Sequence, residues 1–314
     1  MQEKYFNLMP NVFKKRAILK QLANAPMSVS NIEKARKFQK TQTQKRRKVR
    51  FSGSIHDTVA RNKMRETPVR IYTPEGKGPF PALMLMHGGG FCLGSVDSTD
   101  NFCRRISELS ACVVVSVDYA LAPENKYPFA LNECYQVALW IKENASSLNV
   151  NPEKLTVGGN SAGANLAASI CLMAREYGDF SPVMQILVCP VLDLYTDLTE
   201  KSKDAPEIMF NSKVLRQFME YYFNNHEEES REVWASPLFA QDHSALPPAV
   251  IITAGVDPLK EEGERYANKL QSAGVRVEHR HYKGLMHDFP IFTGILKEGE
   301  NAAKFVARQL ETVF

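Results

Sequence analysis

From about residue 51 onward, short apolar runs ended by Gly, Pro or Asp alternate with longer stretches in which apolar residues recur at helical spacing. The short runs predict strands at Val69–Tyr72, Ala82–Met86, Val113–Val117, Leu155–Gly158, Ile186–Pro190, Val250–Ala254 and Val275–Tyr282. Several are apolar at every position, as expected of strands covered on both faces. The longer stretches predict helices at Thr99–Ser110, Phe129–Asn144, Ala162–Tyr177, Lys260–Ala273 and Gly299–Thr312. Strand and helix alternating in this way specify an α/β fold, a mostly parallel sheet with helices on both faces.

Two regions break the alternation. Residues 1 to about 45 are helical in pattern and basic. Residues 194 to about 236 form an insertion between two strands, and within it Val214, Leu215, Phe218, Met219, Tyr222 and Phe223 recur at helical spacing over Ser212–Phe223. Ligands bind at the loop end of open α/β sheets, and these two segments are the pieces available to cover it. The chain is therefore divided into an N-terminal helical cap segment, 1–50, and a main domain, 51–314, that carries a cap insertion at about 194–236.

Composition changes this picture little. With 314 residues, 24% charged and 44% apolar, the chain is excluded from the disordered, collagenous and disulfide-scaffold classes. No apolar run approaches the roughly 18 residues of a spanning helix. Met1–Pro10 mixes charges with aromatics where a signal peptide would be apolar, so a soluble cytoplasmic protein is expected. Charge is more informative. Residues 1–50 hold 14 Lys or Arg against Glu3 and Glu33, a net of +12, while the remaining 25 basic and 33 acidic residues leave the main domain at −8. The run Lys45, Arg46, Arg47, Lys48 and Arg50 reads as the solvated face of a cap docked on an acidic body; the rival reading is a patch for nucleic acid or anionic membrane. No nucleic-acid motif or row of stacking aromatics accompanies it, so neither nucleic acid nor stable membrane association is expected. Cys92, Cys103, Cys112, Cys134, Cys171 and Cys189 are scattered without a C-x-x-C pair, and read as reduced and structural rather than as metal ligands.

The chemistry concentrates in a few segments. Leu155-Thr156-Val157-Gly158-Gly159-Asn160-Ser161-Ala162-Gly163 is an apolar run meeting a Gly-x-Ser-x-Gly turn that opens an Ala-rich helix. Such a turn crowds the backbone, so small residues must flank the serine, which is then held exposed at a helix N-terminus. A serine hydroxyl is a poor nucleophile and needs a base, and the base needs an orienting acid. Of seven histidines, His287 lies just past a predicted strand, in a loop emerging at the same sheet edge as Ser161, whereas His279 and His281 lie within the strand. Asp257 follows the strand ending at Ala254, and 30 positions separate it from His287, room for one helix and one strand. Asp193 is the rival acid. The run His87-Gly88-Gly89-Gly90-Phe91 directly follows a strand, and its glycines allow backbone N–H groups to approach an oxyanion. Gly88, Gly89, Gly90 and the N–H of Ala162 are the candidate donors. A phosphate loop is the alternative, but no Gly-Lys-Ser/Thr spacing follows.

Taken with Asp118-Tyr119-Ala120-Leu121-Ala122-Pro123-Glu124, Asp257-Pro258-Leu259 with Glu262-Gly263, and Gly284-x-x-His287-x-Phe289, these motifs resemble the hormone-sensitive-lipase family of esterases, from about residue 68 to the C-terminus. The resemblance implies an α/β-hydrolase fold with a helical cap, carboxylic-ester hydrolysis and no cofactor or metal. It assigns Ser161, His287 and Asp257 as the triad, and the His87 glycines with Ala162 as the oxyanion hole. Asn160 stands where the family usually has Asp, and Ala120 where it usually has Arg. Phe91, Leu93, Tyr195, Met209, Phe210, Leu215, Phe218, Val256, Met286 and Phe289 are apolar and near motif ends or in the cap, so an apolar acyl pocket for short or medium acyl chains is expected; Phe91, Leu215, Phe218, Val256 and Met286 are the leading substrate-binding candidates. His87 is expected to bond within its own loop and Glu124 to brace it from a buried position. An amidase or lactonase on the same triad, and a non-catalytic receptor for a small ligand, are the rival functions. The apolar positions of the C-terminal helix suit core packing or a homodimer seam.

Overall fold

The structure, a computed structural model, describes residues 32–197, 201 and 212–314. Residues 1–31, and with them most of the N-terminal cap segment, lie outside the described residues, as do Met209 and Phe210. Among the described residues eight strands form one sheet: β1 Ser54–Arg61, β2 Glu66–Thr73, β3 Phe80–Met86, β4 Val113–Val117, β5 Val150–Asn160, β6 Met184–Val188, β7 Ala249–Val256 and β8 Val277–Met286. Their order is β1-β2-β4-β3-β5-β6-β7-β8. The pairs β1/β2 and β2/β4 are antiparallel, and every later neighbour is parallel.

The predicted apolar runs became the central strands because both faces of the sheet are covered. Ala82, Met84 and Met86 of β3 pack on one side and Leu83 and Leu85 on the other, the period of two that a pleated strand imposes. Helices α1 Ile32–Gln44, α2 Val96–Ser110, α3 Phe129–Glu143, α4 Ala162–Tyr177, α5 Ser212–Tyr222, α6 Lys260–Ser272 and α7 Lys297–Leu310 surround it. Phe102 and Ile106 of α2 and Ala302, Val306 and Leu310 of α7 join the Leu83 side. Leu131 of α3, Leu166 of α4 and Leu270 of α6 join the Met84 side, where Leu215 and Phe218 of α5 also pack. The C-terminal helix thus uses its apolar stripe inside the molecule.

One strand was not foreseen. Strand β1 is exposed along most of its length and carries His56, Asp57 and Thr58, so no apolar run announced it; an edge strand faces water and reads as a loop. Boundaries also moved: β5 begins at Val150, β8 runs on to Met286, and α2 starts at Val96 behind Ser95.

The described part of the N-terminal segment is fastened to the main domain by side chains of both. The Arg36 guanidinium donates to Cys92 O (2.9 Å), Ala122 O (2.7 Å) and Glu124 (2.7 and 2.9 Å). Lys48 pairs with the buried Asp100 at 2.9 Å, and the Arg46 guanidinium sits 5.1 Å over the Phe292 ring. Buried Asn101 accepts from Val49 N–H (2.9 Å) and donates to Arg47 O (2.9 Å) and Thr293 O (3.1 Å). Asn101→Ala strands those three backbone groups, and at about 1–3 kcal/mol for a buried unsatisfied group it should lower unfolding stability by at least about 2 kcal/mol. Denaturant unfolding measures this, and limited proteolysis should show faster cleavage near Arg47 and Arg50; unchanged stability and cleavage would mean the clasp contributes nothing.

Candidate active site

Ser161 lies between β5 and α4 with φ 54° and ψ −117°, a backbone conformation that few non-glycine residues hold without support. The support is local crowding. A Cβ on Gly163 would lie 2.1 Å from Met86 O, and one on Gly159 would lie 2.4 Å from Gly163 O. Only glycines let β3, the turn and the first turn of α4 approach this closely. The Ser161 N–H donates to Val188 O at 2.9 Å, tying the turn to β6.

His287 and Asp257 meet the serine from neighbouring parallel strands. The His287 ring faces Ser161 Oγ through Nε2 at 2.9 Å and Asp257 Oδ2 through Nδ1 at 2.8 Å. Asp257 Oδ1 accepts from Leu259 N–H at 2.9 Å, which fixes the carboxylate plane. All three side chains are buried, with Ser161 the most accessible at 7%. Burial works against charge on His287, but the adjacent carboxylates of Asp257 and Asp288 and the hydrogen bond to Asp257 outweigh it, and raise the imidazolium pKa to about 9. Asp193, the rival acid, is occupied elsewhere: its carboxylate accepts from Tyr195 N–H (3.1 Å), Thr196 N–H (2.8 Å) and Thr196 Oγ1 (2.6 Å). Buried Glu262 accepts from Asp193 N–H at 2.7 Å and from Leu192 N–H, so the Glu262-Gly263 pair anchors the loop after β6. His279 and His281 share Thr253 Oγ1, away from the triad.

The glycine loop after β3 divides its donors. Gly88 N–H donates to Asn160 Oδ1 at 3.0 Å, so its expected place in the oxyanion hole is corrected: this donor is already bonded. Among the described residues Gly89 and Gly90 N–H have no acceptor, and Ala162 N–H stands at the first position of α4. His87 donates through Nδ1 to Gly88 O at 2.9 Å and stacks on Tyr119, whose hydroxyl donates to His87 O at 2.8 Å. Glu124 was expected to be buried. It is 54% exposed, and braces the loop through Arg36, which holds Cys92 O and Ala122 O at the same time.

With this geometry in place, comparison with known proteins decides the family. A family model described as the alpha/beta hydrolase fold matches residues 83–291. The chain belongs to the α/β-hydrolase family. Its hormone-sensitive-lipase-like motifs lie at the sheet edge where that resemblance places them. Among its relatives, the carboxylic ester hydrolase LipN of Mycobacterium tuberculosis is 36% identical over 229 residues, 71% of this chain; the match spans only 61% of that relative's length. An arylesterase of Saccharolobus solfataricus is 33% identical over 76% of this chain and 77% of its own. The solved structure of a hyperthermophilic esterase from Pyrobaculum calidifontis superposes with a TM-score of 0.87 at 35% identity, over 95% of this chain and 96% of that one.

In this α/β-hydrolase the five substrate-binding candidates do not form one group. Leu215 and Phe218 lie on the cap helix α5, and Phe91 packs on the same helix, stacking on Tyr222 with ring centroids 3.8 Å apart. A Cβ on Gly90 would lie 2.6 Å from the Phe218 ring, so Phe218 roofs the glycine loop. Val256 and Met286 are register partners in β7 and β8 and belong to the core on the other side of the sheet. They support the strand ends that carry Asp257 and His287. The sequence pattern singled out neither Arg36 nor Asp288, and marked Tyr222 only as part of a helical stripe and Cys189 only as a structural cysteine. Each acts through a contact distant in sequence, and only Asp288 also carried a local signal, its position next to His287. Among the described residues, one Cys/His/Asp constellation has ligand atoms within 4.8 Å of one another, Cys189 with Asp257 and His287; its nitrogen and oxygen already bond each other.

The turn between β5 and α4 yields a direct test. Gly163→Ala forces a methyl group against Met86 O, and overpacking of this kind costs about 1–3 kcal/mol or more. The variant should lose thermal stability by several degrees and lose labelling of Ser161 by a serine-reactive probe; retention of both would show that the turn is not crowded as described.

Proposed function

We propose that this α/β-hydrolase hydrolyses small carboxylic esters through an acyl-enzyme on Ser161, with His287 as base and Asp257 as orienting acid. One observation carries the reading: the unbroken hydrogen-bonded line Ser161 Oγ, His287 Nε2, His287 Nδ1 and Asp257 Oδ2, with links of 2.9 and 2.8 Å. Ser161 Oγ attacks the ester carbonyl as its proton passes to Nε2. Asp257 fixes the ring tautomer and stabilises the imidazolium. The N–H groups of Gly89, Gly90 and Ala162 receive the oxyanion. His287 then protonates the departing alcohol, and a water molecule repeats the sequence to free the acid. No step draws on a cofactor. The relatives named as ester hydrolases and esterases support the reaction class.

Phe218 over the glycine loop, with Phe91 against Tyr222, supports a preference for short or medium acyl chains. Six unpaired, buried cysteines support a reducing, cytoplasmic setting. Among the described residues no helix is long and apolar enough to cross a membrane.

A fluorophosphonate probe should label Ser161 in folded protein, and Ser161→Ala should abolish labelling and lower kcat at least about 10⁴-fold. An unlabelled wild type would sink the proposal. In a p-nitrophenyl ester series, acetate to octanoate should be cleaved faster than palmitate, and the reverse order would overturn the chain-length preference. The pH profile has a definite sign. His287 serves as base only when neutral, and its imidazolium persists to about pH 9, so kcat/KM should climb as pH rises toward 9 and level beyond it.

A further inference from the structure

The residue after the catalytic histidine is also a buried acid, and it is held in an unusual way. Asp288 has φ 56° and ψ 20°, in the left-handed region. Its Oδ2 accepts from Asn160 Nδ2 at 2.8 Å. Its Oδ1 is buried, has no hydrogen-bond partner among the described residues and lies 3.8 Å from His287 Nε2. On its other side the Asn160 amide accepts the Gly88 N–H through Oδ1. The Gly88 backbone comes close enough that a Cβ there would lie 2.5 Å from Asn160 Nδ2 and 2.9 Å from Asp288 Oδ2.

We propose, building on the triad reading above, that Asp288 is a second, positioning carboxylate for His287, and that Asn160 holds it there while tying it to the glycine loop. The chemistry of the pair is directional. Gly88 offers a donor, so the Asn160 oxygen must face it, and the amide NH₂ is left to face a carboxylate. A carboxylate at position 160 would accept from Gly88 but would meet Asp288 with like charge. Asn160 and Asp288 are therefore matched residue types.

A buried carboxylate oxygen without a partner is costly, and its nearest source of positive charge is the imidazole. At 3.8 Å it makes no hydrogen bond to the resting ring. Once Nε2 has taken the serine proton, Oδ1 becomes a second acceptor beside the leaving oxygen, and it favours the imidazolium electrostatically. The ring is also faced by Asp257 after β7, by Glu262 of α6 and by the buried Cys189 thiol. Asp288 in turn is faced by His287, Asn160 and Asp257. Burial pushes the Cys189 thiol well above its ordinary range, so it remains neutral. Burial pushes the Asp288 and Glu262 carboxyls above the usual carboxylate range, while His287 and Asn160 pull Asp288 back and Lys201 does the same for Glu262; of the three acids, Asp288 is the one on the Nε2 side.

Asp288→Asn tests this with little risk to folding, because Asn tolerates the left-handed region and can still accept from Asn160. Removing the charge should move the acid limb of kcat/KM down by about one pH unit, and should lower the alkaline plateau about 3- to 10-fold as the base weakens, with KM within about twofold. The His287 imidazole, followed by NMR titration in Ser161→Ala protein, should show the same shift without substrate. That readout stands even if wild type proves inactive on esters, so failure of the triad reading and failure of this proposal are separable. The pairing is tested by Asn160→Asp, which should lower thermal stability at pH 8, and by adding Asp288→Asn to it, which should restore the loss. An unmoved acid limb with an unmoved imidazole titration in Asp288→Asn would reduce Asp288 to packing and overturn the proposal. Additive stability effects of the two substitutions would overturn the pairing.

Discussion

Everything at the site depends on one crowded turn. Ser161 sits at φ 54°, and strain of this kind persists only where the surroundings over-determine it. Here they do. The turn is hemmed by Met86 O at the end of β3, bonded to Val188 O at the end of β6 and closed by Gly159 against Gly163. The same closeness that makes a methyl group intolerable brings the Ala162 N–H beside the glycine loop and aims the hydroxyl at His287. The proposed nucleophile and oxyanion donors are thus two consequences of a single packing constraint, expressed at the C-terminal edge of a parallel sheet.

The second organising feature is a concentration of buried acid around one base. Asp257, Asp288 and Glu262 all act on His287, and together they outweigh the burial that would keep it neutral. Each acid is differently anchored: Asp257 by Leu259 N–H, Glu262 by the N–H groups after β6, and Asp288 by an amide side chain. A buried carboxylate is tolerable when it is hydrogen-bonded; the anchors of Glu262 and Asp288 also join separate loops, while that of Asp257 lies within its own loop. The proposed triad sits in a network that reaches from the glycine loop through Asn160 to the start of α6.

The charge division along the chain acquires a structural meaning at the same level. Net +4 is the outcome of a basic first segment and an acidic remainder, and Arg36, Arg46 and Lys48 show how the two meet. Arg36 does more than neutralise Glu124, since it also holds two carbonyls of the segments that follow the glycine loop and β4. The exposed pair itself contributes little; the geometric effect is to fasten α1 to the segments after the glycine loop and β4.

The sequence alone determined the elements whose signal is local. Strands buried on both faces announced themselves as apolar runs, the serine turn as glycines around a serine, and the proposed triad as residues just past strand ends, in an order that a parallel sheet brings to one edge. Tertiary structure decided whatever depends on partners distant along the chain. Strand β1 has no apolar signature because it is an edge. Gly88 differs from Gly89 only because Asn160 lies beneath it. Val256 and Met286 were grouped with Phe218 by hydrophobicity, yet the sheet puts them on opposite sides. Asp288 gained its meaning from a left-handed backbone and an amide 128 positions away. Periodicity reports how a segment meets water and core, which each stretch of chain carries in itself; which donor meets which acceptor is set only when the segments pack.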